Sequence, residues 1–311
     1  MTSPVALPAG VLAFATRGAD WAAFVDRLPR LVASLLQDWS LHVDGAPAHG
    51  HTALVVPVRT EDDVPAMLKV GWVEEQTEHE HLALRHWHGR GAVQLLRADP
   101  RRGALLLERL ESTDLTQAWD LEACEIVGGL YRELHVPAPP PLRRLTTFVS
   151  RWTDDLAALS AGAPLPRRLV EQAVSLGRDL AADDASDGTL IHADLHYENV
   201  LAGTRAPWLA IDPQPLSGDP HYEPAPMLWN RFDELAGDVR GGLRRRFATL
   251  VDAGDLDEDR ARDWVIVRMM HNALWRLEDD ATEPTQLNPP RRLATDEYLT
   301  MCVTIAKAVQ E

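Results

Sequence analysis

The sequence predicts an α+β fold in which a small antiparallel sheet is followed by a mostly helical region. Two observations predict it. In the first 110 residues, short segments rich in β-branched and aliphatic side chains alternate with turn-forming residues. After the segment LERL, which ends at Leu110, apolar residues recur mostly at helical spacing. We therefore predict an N-terminal lobe over residues 1–110 and a helical C-terminal lobe over residues 111–311.

The N-terminal lobe is predicted to hold a five-stranded sheet and one main helix. Its strand candidates are residues 39–43, 53–59, 66–70, 92–97 and 103–110. Apolar residues at helical spacing over 19–37 predict two short helices, because Pro29 lies in the middle and proline breaks or kinks a helix interior. Residues 74–89 predict the main helix, since an acidic first turn suits the positive end of the helix dipole.

The C-terminal lobe is predicted to be helical except for one hairpin. A helix should begin at Asp120, a suitable N-cap residue, and end near His135. Further helices are predicted at about 145–160, 166–183, 223–230, 232–252, 257–279 and 291–309. Two short apolar runs, NVLAG at 199–203 and PWLAID at 207–212, predict the hairpin.

The composition limits the classes of partner. The chain has 31 basic and 47 acidic side chains and a formal net charge of −16, whereas nucleic-acid binding needs a basic face. A cationic small molecule suits this charge, although an acidic surface also serves solubility alone. Only Cys124 and Cys302 are present, so no disulfide framework is indicated. No apolar run of about 18 residues occurs, and we expect a cytoplasmic protein without a membrane partner. The oligomeric state stays open.

The stretch 191–212, IHADLHYENVLAGTRAPWLAID, carries residues that suit phosphoryl transfer. That reaction needs positioning, a metal and a group that accepts the hydroxyl proton. Asp194, in a loop between strands, suits the last role. Asn199 and Asp212 offer a neutral and a charged oxygen, the ligand type that Mg²⁺ prefers. Each residue also has a structural alternative: a turn residue at 194, a strand-entry residue at 199 and a helix N-cap at 212.

Lys69 is unusual in an arginine-rich chain. Only two of the 31 basic residues are lysines, and Lys69 lies in the strand candidate AMLKV. A long cation between apolar neighbours needs a carboxylate or phosphate partner, and lysine in place of arginine suggests that a compact ammonium is required. Glu80 on the following helix is the first candidate partner, Glu78 the second and Glu75 a weaker third. The alternative is an exposed charge on an edge strand.

Side chains that meet an acceptor are expected in the helical lobe. The segment VRMMHNALWRLEDD has an apolar stripe, and polar or aromatic candidates stand beside it at helical spacings. These candidates are His271, Asn272, Trp275, Glu278 and Asp279. A carboxylate among them could meet an amine or guanidine, whereas the alternative is a solvated helix face. In GDPHYEPAPMLWN, Glu223 is expected to accept backbone hydrogen bonds and brace the loop that carries Asp194.

Four segments carry a resemblance to a known family. They are ALRHWHGRGAVQLLRADPRRGALLLERL (83–110), LHVPAPP (134–140), LIHADLHYENVL (190–201) and PWLAIDPQPLSGDPHYEPAPMLWNR (207–231). With Lys69 and a helix glutamate upstream, their order resembles that of protein-kinase-like small-molecule kinases. More narrowly, it is similar to the aminoglycoside and hydroxyurea antibiotic phosphotransferases, which include the streptomycin phosphotransferases. The resemblance covers most of the chain and implies a bilobal protein-kinase-like fold, with nucleotide in the N-terminal lobe and the acceptor site in the C-terminal lobe.

The resemblance implies a role for each of the three candidate residues in the stretch 191–212. Asp194 would be the catalytic base, and Asn199 and Asp212 would be the magnesium ligands. Two positions depart from the expected pattern. Gln214 follows IDP where many relatives are expected to have lysine, and Ala193 stands where glycine is more usual. Neither departure removes a metal ligand or the base, but Gln214 puts the substrate in question.

The resemblance also implies nucleotide contacts in the N-terminal lobe. Lys69 would contact the phosphates, and Glu80 would be its ion-pair partner. The segment from Glu108 to Leu110 would be the hinge, whose backbone groups meet the purine. The implied cofactors are ATP or GTP together with Mg²⁺.

The implied function is transfer of the nucleotide γ-phosphate to a hydroxyl of a small, cationic or sugar-like acceptor. An aminoglycoside such as streptomycin comes first, as in antibiotic resistance, and hydroxyurea or an amino sugar is the alternative. Two other classes are weighed. A metal-dependent hydrolase would bind zinc at the HxDxH cluster of His192, Asp194 and His196, but Lys69 would have no role in it. An inactive kinase-like binding protein would not need the complete set of reactive residues.

Overall fold

The computed structural model describes residues 5–73, 78–160, 162–281 and 293–310, without the side chains of residues 279–281. Contacts within the chain divide it into two compact units. Unit 1 comprises Met1–Glu111 and Gly203–Arg205, and unit 2 comprises Ser112–Ala202 and Ala206–Glu311. The first 111 residues therefore belong to one unit, which ends one residue after the boundary predicted at residue 110.

Unit 1 contains an antiparallel sheet. Its strands among the described residues are β1 His42–Val43, β2 Ala48–His49, β3 Ala53–Arg59, β4 Pro65–Gly71, β5 Leu95–Asp99 and β6 Ala104–Glu108. The strand order is β1-β3-β4-β6-β5, and β2 pairs with β3. The two-residue strand β2 lay in a segment predicted as a turn, because a strand this short has no periodicity to detect. The predicted strand 39–43 shrinks to β1 since Trp39 ends the preceding helix.

Three helices of unit 1 are described: α1 Ala9–Ala13, α2 Ala19–Asp38 and α3 Glu80–Trp87. The prediction of two short helices over 19–37 is wrong, because α2 continues through Pro29. Proline in a helix interior costs about 3 kcal/mol, whereas each large apolar side chain buried contributes about 1.5–3 kcal/mol. The buried stripe of α2 runs along both sides of the proline and consists of Trp21, Phe24, Val25, Leu28, Val32, Leu35 and Leu36. Packing on the sheet therefore outweighs the local penalty.

Helix α3 is shorter than the predicted main helix. It begins at Glu80, and residues 74–77 at the start of the predicted range lie outside the described residues. It ends at Trp87, two residues before the predicted end at 89. His88 and Gly89 both have positive φ, and a left-handed backbone at this position commonly ends a helix.

Unit 2 is mostly helical. Its described helices are α4 Asp120–Leu134, α5 Leu145–Ala157, α6 Arg167–Ala182, α7 Ala225–Trp229, α8 Val239–Gly254, α9 Glu258–Ala281 and α10 Thr295–Ala308. The predicted helix 232–252 is interrupted, because Phe232–Leu235 forms a separate 3-10 turn and Asp238 caps the start of α8. No described helix combines the length and apolar character needed to cross a membrane.

The short strands of unit 2 lie in the connections between its helices. β7 Val136–Pro137, β8 Thr189–Ile191 and β11 Leu216–Gly218 form a sheet in the order β11-β8-β7, and β9 Val200–Ala202 pairs with β10 Trp208–Ala210 as the predicted hairpin. The end of β8 lies in the hydrophobic core, where Ile191 and Ala193 pack in one cluster with Leu216 and Trp264. The loop after β8 therefore starts from a rigid point.

A buried polar network fixes the far end of the same loop. Asp120 is the first residue of α4 and not its N-cap, which corrects the sequence prediction. Its carboxylate accepts hydrogen bonds from the hydroxyl of Tyr197 at 2.7 Å and from Nε of Arg246 at 2.8 Å. Tyr197 and Arg246 are both almost fully buried. Asp120 thus neutralises a buried guanidinium and anchors the loop residue Tyr197.

We expect Asp120→Ala to lower the free energy of unfolding by about 3–5 kcal/mol, because removal of one partner leaves a buried charge uncompensated. Urea unfolding followed by circular dichroism measures the change. The matched control is Asp154→Ala, whose carboxylate makes only an exposed ion pair with Arg178 at 3.9 Å, and a change below about 1 kcal/mol is expected there. Equal effects of the two substitutions would contradict the assigned role of Asp120.

Candidate active site

The loop between β8 and β9 carries the first two candidate residues, Asp194 and Asn199. It closes with a 3-10 turn, Tyr197–Asn199, and Nδ1 of His196 accepts a hydrogen bond from the N–H of Glu198 at 3.4 Å. The side-chain amide of Asn199 donates from Nδ2 to the backbone carbonyl of Asp194 at 2.8 Å. Since this nitrogen is committed to the protein, Oδ1 is the atom that Asn199 can offer to a cation.

The hairpin β9–β10 brings Asp212 to the same end of the sheet as Asn199. In the antiparallel register Val200 faces Ala210, and the N–H of Ile211 donates to the carbonyl of Asn199 at 2.9 Å. Asp212 follows directly with a φ of +58°, which is uncommon for a residue other than glycine. The next element is strand β11, so Asp212 is not a helix N-cap. The sequence alternative for this residue is thereby removed.

His192 joins the two segments that carry these residues. Its ring is fully buried; Nε2 donates to the carbonyl of Ile211 at 2.9 Å, and Nδ1 accepts from the N–H of Asp194 at 3.3 Å. Burial lowers the pKa of His192. These contacts assign a neutral ring with the proton on Nε2. Because both ring nitrogens are used by the backbone, His192 has no lone pair for zinc, which disfavours the hydrolase hypothesis.

Ala193 lies in the left-handed region, with a φ of +64°. This conformation costs a residue with a Cβ about 1–2 kcal/mol, whereas glycine adopts it without that cost. Two buried charged side chains hold the strained peptide. The carboxylate of Glu223 accepts from the N–H groups of His192 at 2.5 Å and Ala193 at 3.2 Å, and Nη2 of Arg268 donates to the carbonyl of Ala193 at 2.5 Å.

Glu223 therefore braces the loop, as its place in the sequence suggested. The residue is completely buried, and burial alone would raise the pKa of its carboxyl group. The interaction with His135 and the hydrogen bond from the backbone N–H of His192 outweigh burial and hold the pKa of Glu223 below its ordinary value. The side chain is thus an ionised acceptor for two backbone N–H groups.

The carboxylate of Asp194 accepts a hydrogen bond from a neutral donor and is influenced by the charge of Arg268. Nε2 of Gln214 donates to Oδ2 at 2.9 Å, whereas no described residue donates to Oδ1. Burial raises the pKa of Asp194 to about 7, although the charge of Arg268 opposes the rise. A carboxyl group with this pKa can exchange a proton near neutral pH, which is what a general base requires.

In unit 1, Lys69 lies on β4 opposite Val55 of β3 and Leu105 of β6. Its Nζ is 2.7 Å from both carboxylate oxygens of Glu80, and the two side chains are only 13% and 6% exposed. Of the three candidate partners, the structure pairs Lys69 with Glu80; Glu75 lies outside the described residues. The ion pair stands on a central strand, so Lys69 is not an edge-strand charge.

The predicted hinge segment begins at Glu108, the last residue of strand β6, and continues to Leu110. The side chain of Glu108 is used structurally, since it pairs with Nη2 of Arg205 at 2.7 Å and accepts from the N–H of Gln94 at 2.7 Å. Its backbone N–H donates to the carbonyl of Gln94 at 3.0 Å. The N–H of Leu110, in contrast, donates to no described residue. The Leu110 N–H is therefore a backbone donor that this segment leaves available.

The acceptor candidates on α9 have different environments. His271 is fully buried, contacts Oγ1 of Thr153 at 3.3 Å, and has a pKa lowered to about 3 by burial. Asn272 is only 3% exposed. Trp275 is partly buried, Glu278 is exposed, and the side chain of Asp279 lies outside the described residues. The side chains of His271 and Asn272 are buried within unit 2, so the solvated-face alternative does not describe them, and their acceptor role stays a prediction.

Sequence reasoning did not find three residues that shape the loop. Tyr197, Asp120 and Arg268 hold it through contacts with residues 75 to 77 positions away along the chain. The only available signal for Arg268 was an arginine within the apolar run of α9, which also fits an ordinary helix face. Such contacts cannot be predicted from local spacing.

Comparison with known proteins identifies the chain. The family model described as aminoglycoside/hydroxyurea antibiotic resistance kinase matches residues 38–280. Streptomycin 6-kinase of Streptomyces glaucescens is 40% identical over 274 residues, which cover 86% of this chain and 88% of that protein. Hydroxyurea phosphotransferase of Kitasatospora aureofaciens is 40% identical over 296 residues, with coverages of 91% and 82%.

The solved structures confirm the predicted protein-kinase-like α+β fold. A choline/ethanolamine kinase family protein from Mesorhizobium loti superposes with a TM-score of 0.58 at 18% identity, over 90% of this chain and 95% of that one. This similarity shows the fold alone. The family model and the relatives at 40% identity go further. The chain is a phosphotransferase that belongs to the aminoglycoside/hydroxyurea antibiotic resistance kinase family.

Proposed function

We propose that this phosphotransferase moves the γ-phosphate of ATP to a hydroxyl of streptomycin, with Asp194 as the general base. The observation that carries the proposal is the arrangement around His192. Its ring links the backbone of Asp194 to that of Ile211, so the candidate base and the candidate metal ligand Asp212 are held by one buried side chain. GTP is the alternative donor.

Mg²⁺ is the proposed metal, and the donor set supports this choice. Asn199 would contribute Oδ1 and Asp212 a carboxylate oxygen, and oxygen ligands combined with nucleotide phosphates are typical of magnesium sites. The commitment of the Asn199 amide nitrogen to the carbonyl of Asp194 leaves its oxygen for this purpose. When bound, the metal neutralises charge on the transferring phosphoryl group.

The proposed chemistry assigns a proton transfer to this chain. As the acceptor oxygen bonds to the γ-phosphorus, its proton passes to the Asp194 carboxylate, and the electron pair of the broken phosphoanhydride bond leaves with ADP. A pKa near 7 suits this step, because a base is most effective when its pKa lies near the working pH. In unit 1, Lys69 would contact the nucleotide phosphates with Glu80 as its partner, and the segment from Glu108 to Leu110 would meet the purine.

Streptomycin is the proposed acceptor for two reasons. Streptomycin 6-kinases are relatives at 40% and 38% identity, each over more than four fifths of this chain. A net charge of −16 also favours a cationic acceptor, since a field of one sign concentrates molecules of the other. The names of these relatives point to the 6-hydroxyl. The equally similar hydroxyurea phosphotransferase makes hydroxyurea the second candidate, and an amino sugar remains a further alternative.

A panel of acceptors tests the proposal. With purified protein and Mg²⁺, a coupled assay should detect ADP formation with streptomycin at a rate well above that with hydroxyurea or an amino sugar. Mass spectrometry and ³¹P NMR of the product should place the phosphate on the 6-hydroxyl. Turnover of hydroxyurea alone would replace the first candidate by the second. Nucleotide binding without turnover of any acceptor would instead favour the inactive binding protein.

Asp194→Asn should reduce kcat for streptomycin by about 10²–10⁴-fold, the usual contribution of a general base. Nucleotide affinity and melting temperature should change little, because the amide has nearly the same shape. Glu198→Gln is the matched control in the same loop, since Glu198 is exposed and is expected to retain wild-type turnover. Wild-type kcat in Asp194→Asn would show that the base assignment is wrong.

The pH dependence of the reaction should follow the carboxyl group of Asp194. Because the base must be ionised, kcat/KM should be constant at high pH and fall about tenfold per pH unit below about 7. Initial rates between pH 5.5 and 9, with melting temperatures recorded at each pH, check this expectation. If the residual activity of Asp194→Asn shows the same fall of kcat/KM at low pH, the fall belongs to another group.

A further inference from the structure

Gln214 is a neutral side chain in direct contact with the proposed base. It is partly buried, and its Nε2 donates to Oδ2 of Asp194 at 2.9 Å. Its backbone N–H separately donates to the carbonyl of His192 at 3.0 Å. The main chain of Gln214 is therefore fixed without help from its side chain. A change of side chain can remove the contact with Asp194 and keep the backbone bond.

No other described side chain donates a hydrogen bond to this carboxylate. Arg268 is the cation whose charge lowers the pKa of Asp194 most, but its hydrogen bonds go to the carbonyls of Ala193 and Tyr222. The amide of Asn199 donates to the backbone carbonyl of Asp194 and not to its side chain. Gln214 alone thus determines which carboxylate oxygen is occupied, and it leaves Oδ1 without a donor from the described residues.

The neutrality of the donor has a chemical consequence. A general base must keep an oxygen with a lone pair directed at the proton that it accepts, and a loosely held carboxylate rotates among several orientations. An ammonium or guanidinium would hold the carboxylate as well, but its charge would stabilise the ionised form and reduce basicity. An uncharged amide fixes the orientation and preserves more of the basicity. Glutamine meets both requirements.

We propose that Gln214 is a positioning residue for phosphoryl transfer: its amide holds Oδ2 of Asp194, so that Oδ1 receives the proton of the acceptor hydroxyl. The inference rests on the proposed role of Asp194 as base. It also gives a role to the departure at position 214, where the family pattern suggested lysine. The residue tunes the base and does not itself exchange a proton.

Gln214→Met is the main test, because methionine has a similar length and no N–H donor. At saturating ATP and streptomycin, kcat should fall by about 10- to 100-fold, the size expected when a reacting group loses its orientation. KM for both substrates and the melting temperature should stay close to wild type. The matched control is Gln172→Met, which removes an exposed hydrogen bond to Gln310 and should leave kcat unchanged. A kcat within twofold of wild type in Gln214→Met would overturn the proposal.

A double-substitution cycle separates positioning from a general structural effect. A radiolabelled nucleotide makes the residual turnover of Asp194→Asn measurable. If Gln214 acts through the carboxylate, Gln214→Met should lower kcat much less in the Asp194→Asn background than in the wild type. Equal fractional losses in both backgrounds would show that Gln214 does not act through Asp194.

The same cycle distinguishes failure of the inference from failure of the proposed function. Normal turnover in Asp194→Asn would remove the base assignment and the inference together. A large loss in Asp194→Asn with normal turnover in Gln214→Met would remove only the inference. Gln214→Lys keeps a donor of similar reach but adds a charge, so its kcat should lie between those of the wild type and Gln214→Met. A loss equal to that of Gln214→Met would oppose the requirement for a hydrogen bond, and wild-type kcat would oppose the requirement for a neutral donor.

Discussion

The buried, neutral ring of His192 is the interaction on which the rest of the site depends. One nitrogen donates to Ile211 and the other accepts from Asp194, so a single side chain joins the ends of two strand-derived segments. A charged ring would lose the acceptor at Nδ1 and place a cation in the core. Burial prevents this by lowering the pKa of His192. The histidine of the HADLHYEN segment therefore acts as a structural link, and the polar residues around it stand where they do because the ring stays neutral.

Strain and compensation explain the buried charges beside this link. The left-handed conformation of Ala193 is unfavourable by itself. It persists because Glu223 accepts hydrogen bonds from the N–H groups of His192 and Ala193, while Arg268 donates to the carbonyl of Ala193. These two side chains carry opposite charges, and both make hydrogen bonds to the main chain, which offsets part of the cost of burying them. The same cation limits the rise in the pKa of Asp194 that burial causes. Backbone geometry and the acidity of the carboxyl group are thus set by the same few contacts.

The comparisons establish the family, and two relatives of equal identity are named for different acceptors. A streptomycin kinase and a hydroxyurea phosphotransferase are each 40% identical to this chain. These acceptors differ greatly in size and charge, whereas the transferred phosphoryl group is the same. The residues around His192 suit that shared step, and discrimination between acceptors must come from side chains elsewhere. Among the acceptor candidates on α9, His271 and Asn272 are buried, whereas Glu278 is exposed.

The sequence by itself determined the order of elements and the short polar pattern from His192 to Asp212, because these depend on local spacing and on residue types with restricted chemistry. It also singled out Lys69, since one lysine among arginines is visible in composition. Only the tertiary structure decided the choice of Glu80 as its partner, the continuity of α2 through Pro29 and the contact of Gln214 with Asp194. Each of these depends on packing or hydrogen bonding between different elements of the fold, and local propensity carries no information about such contacts.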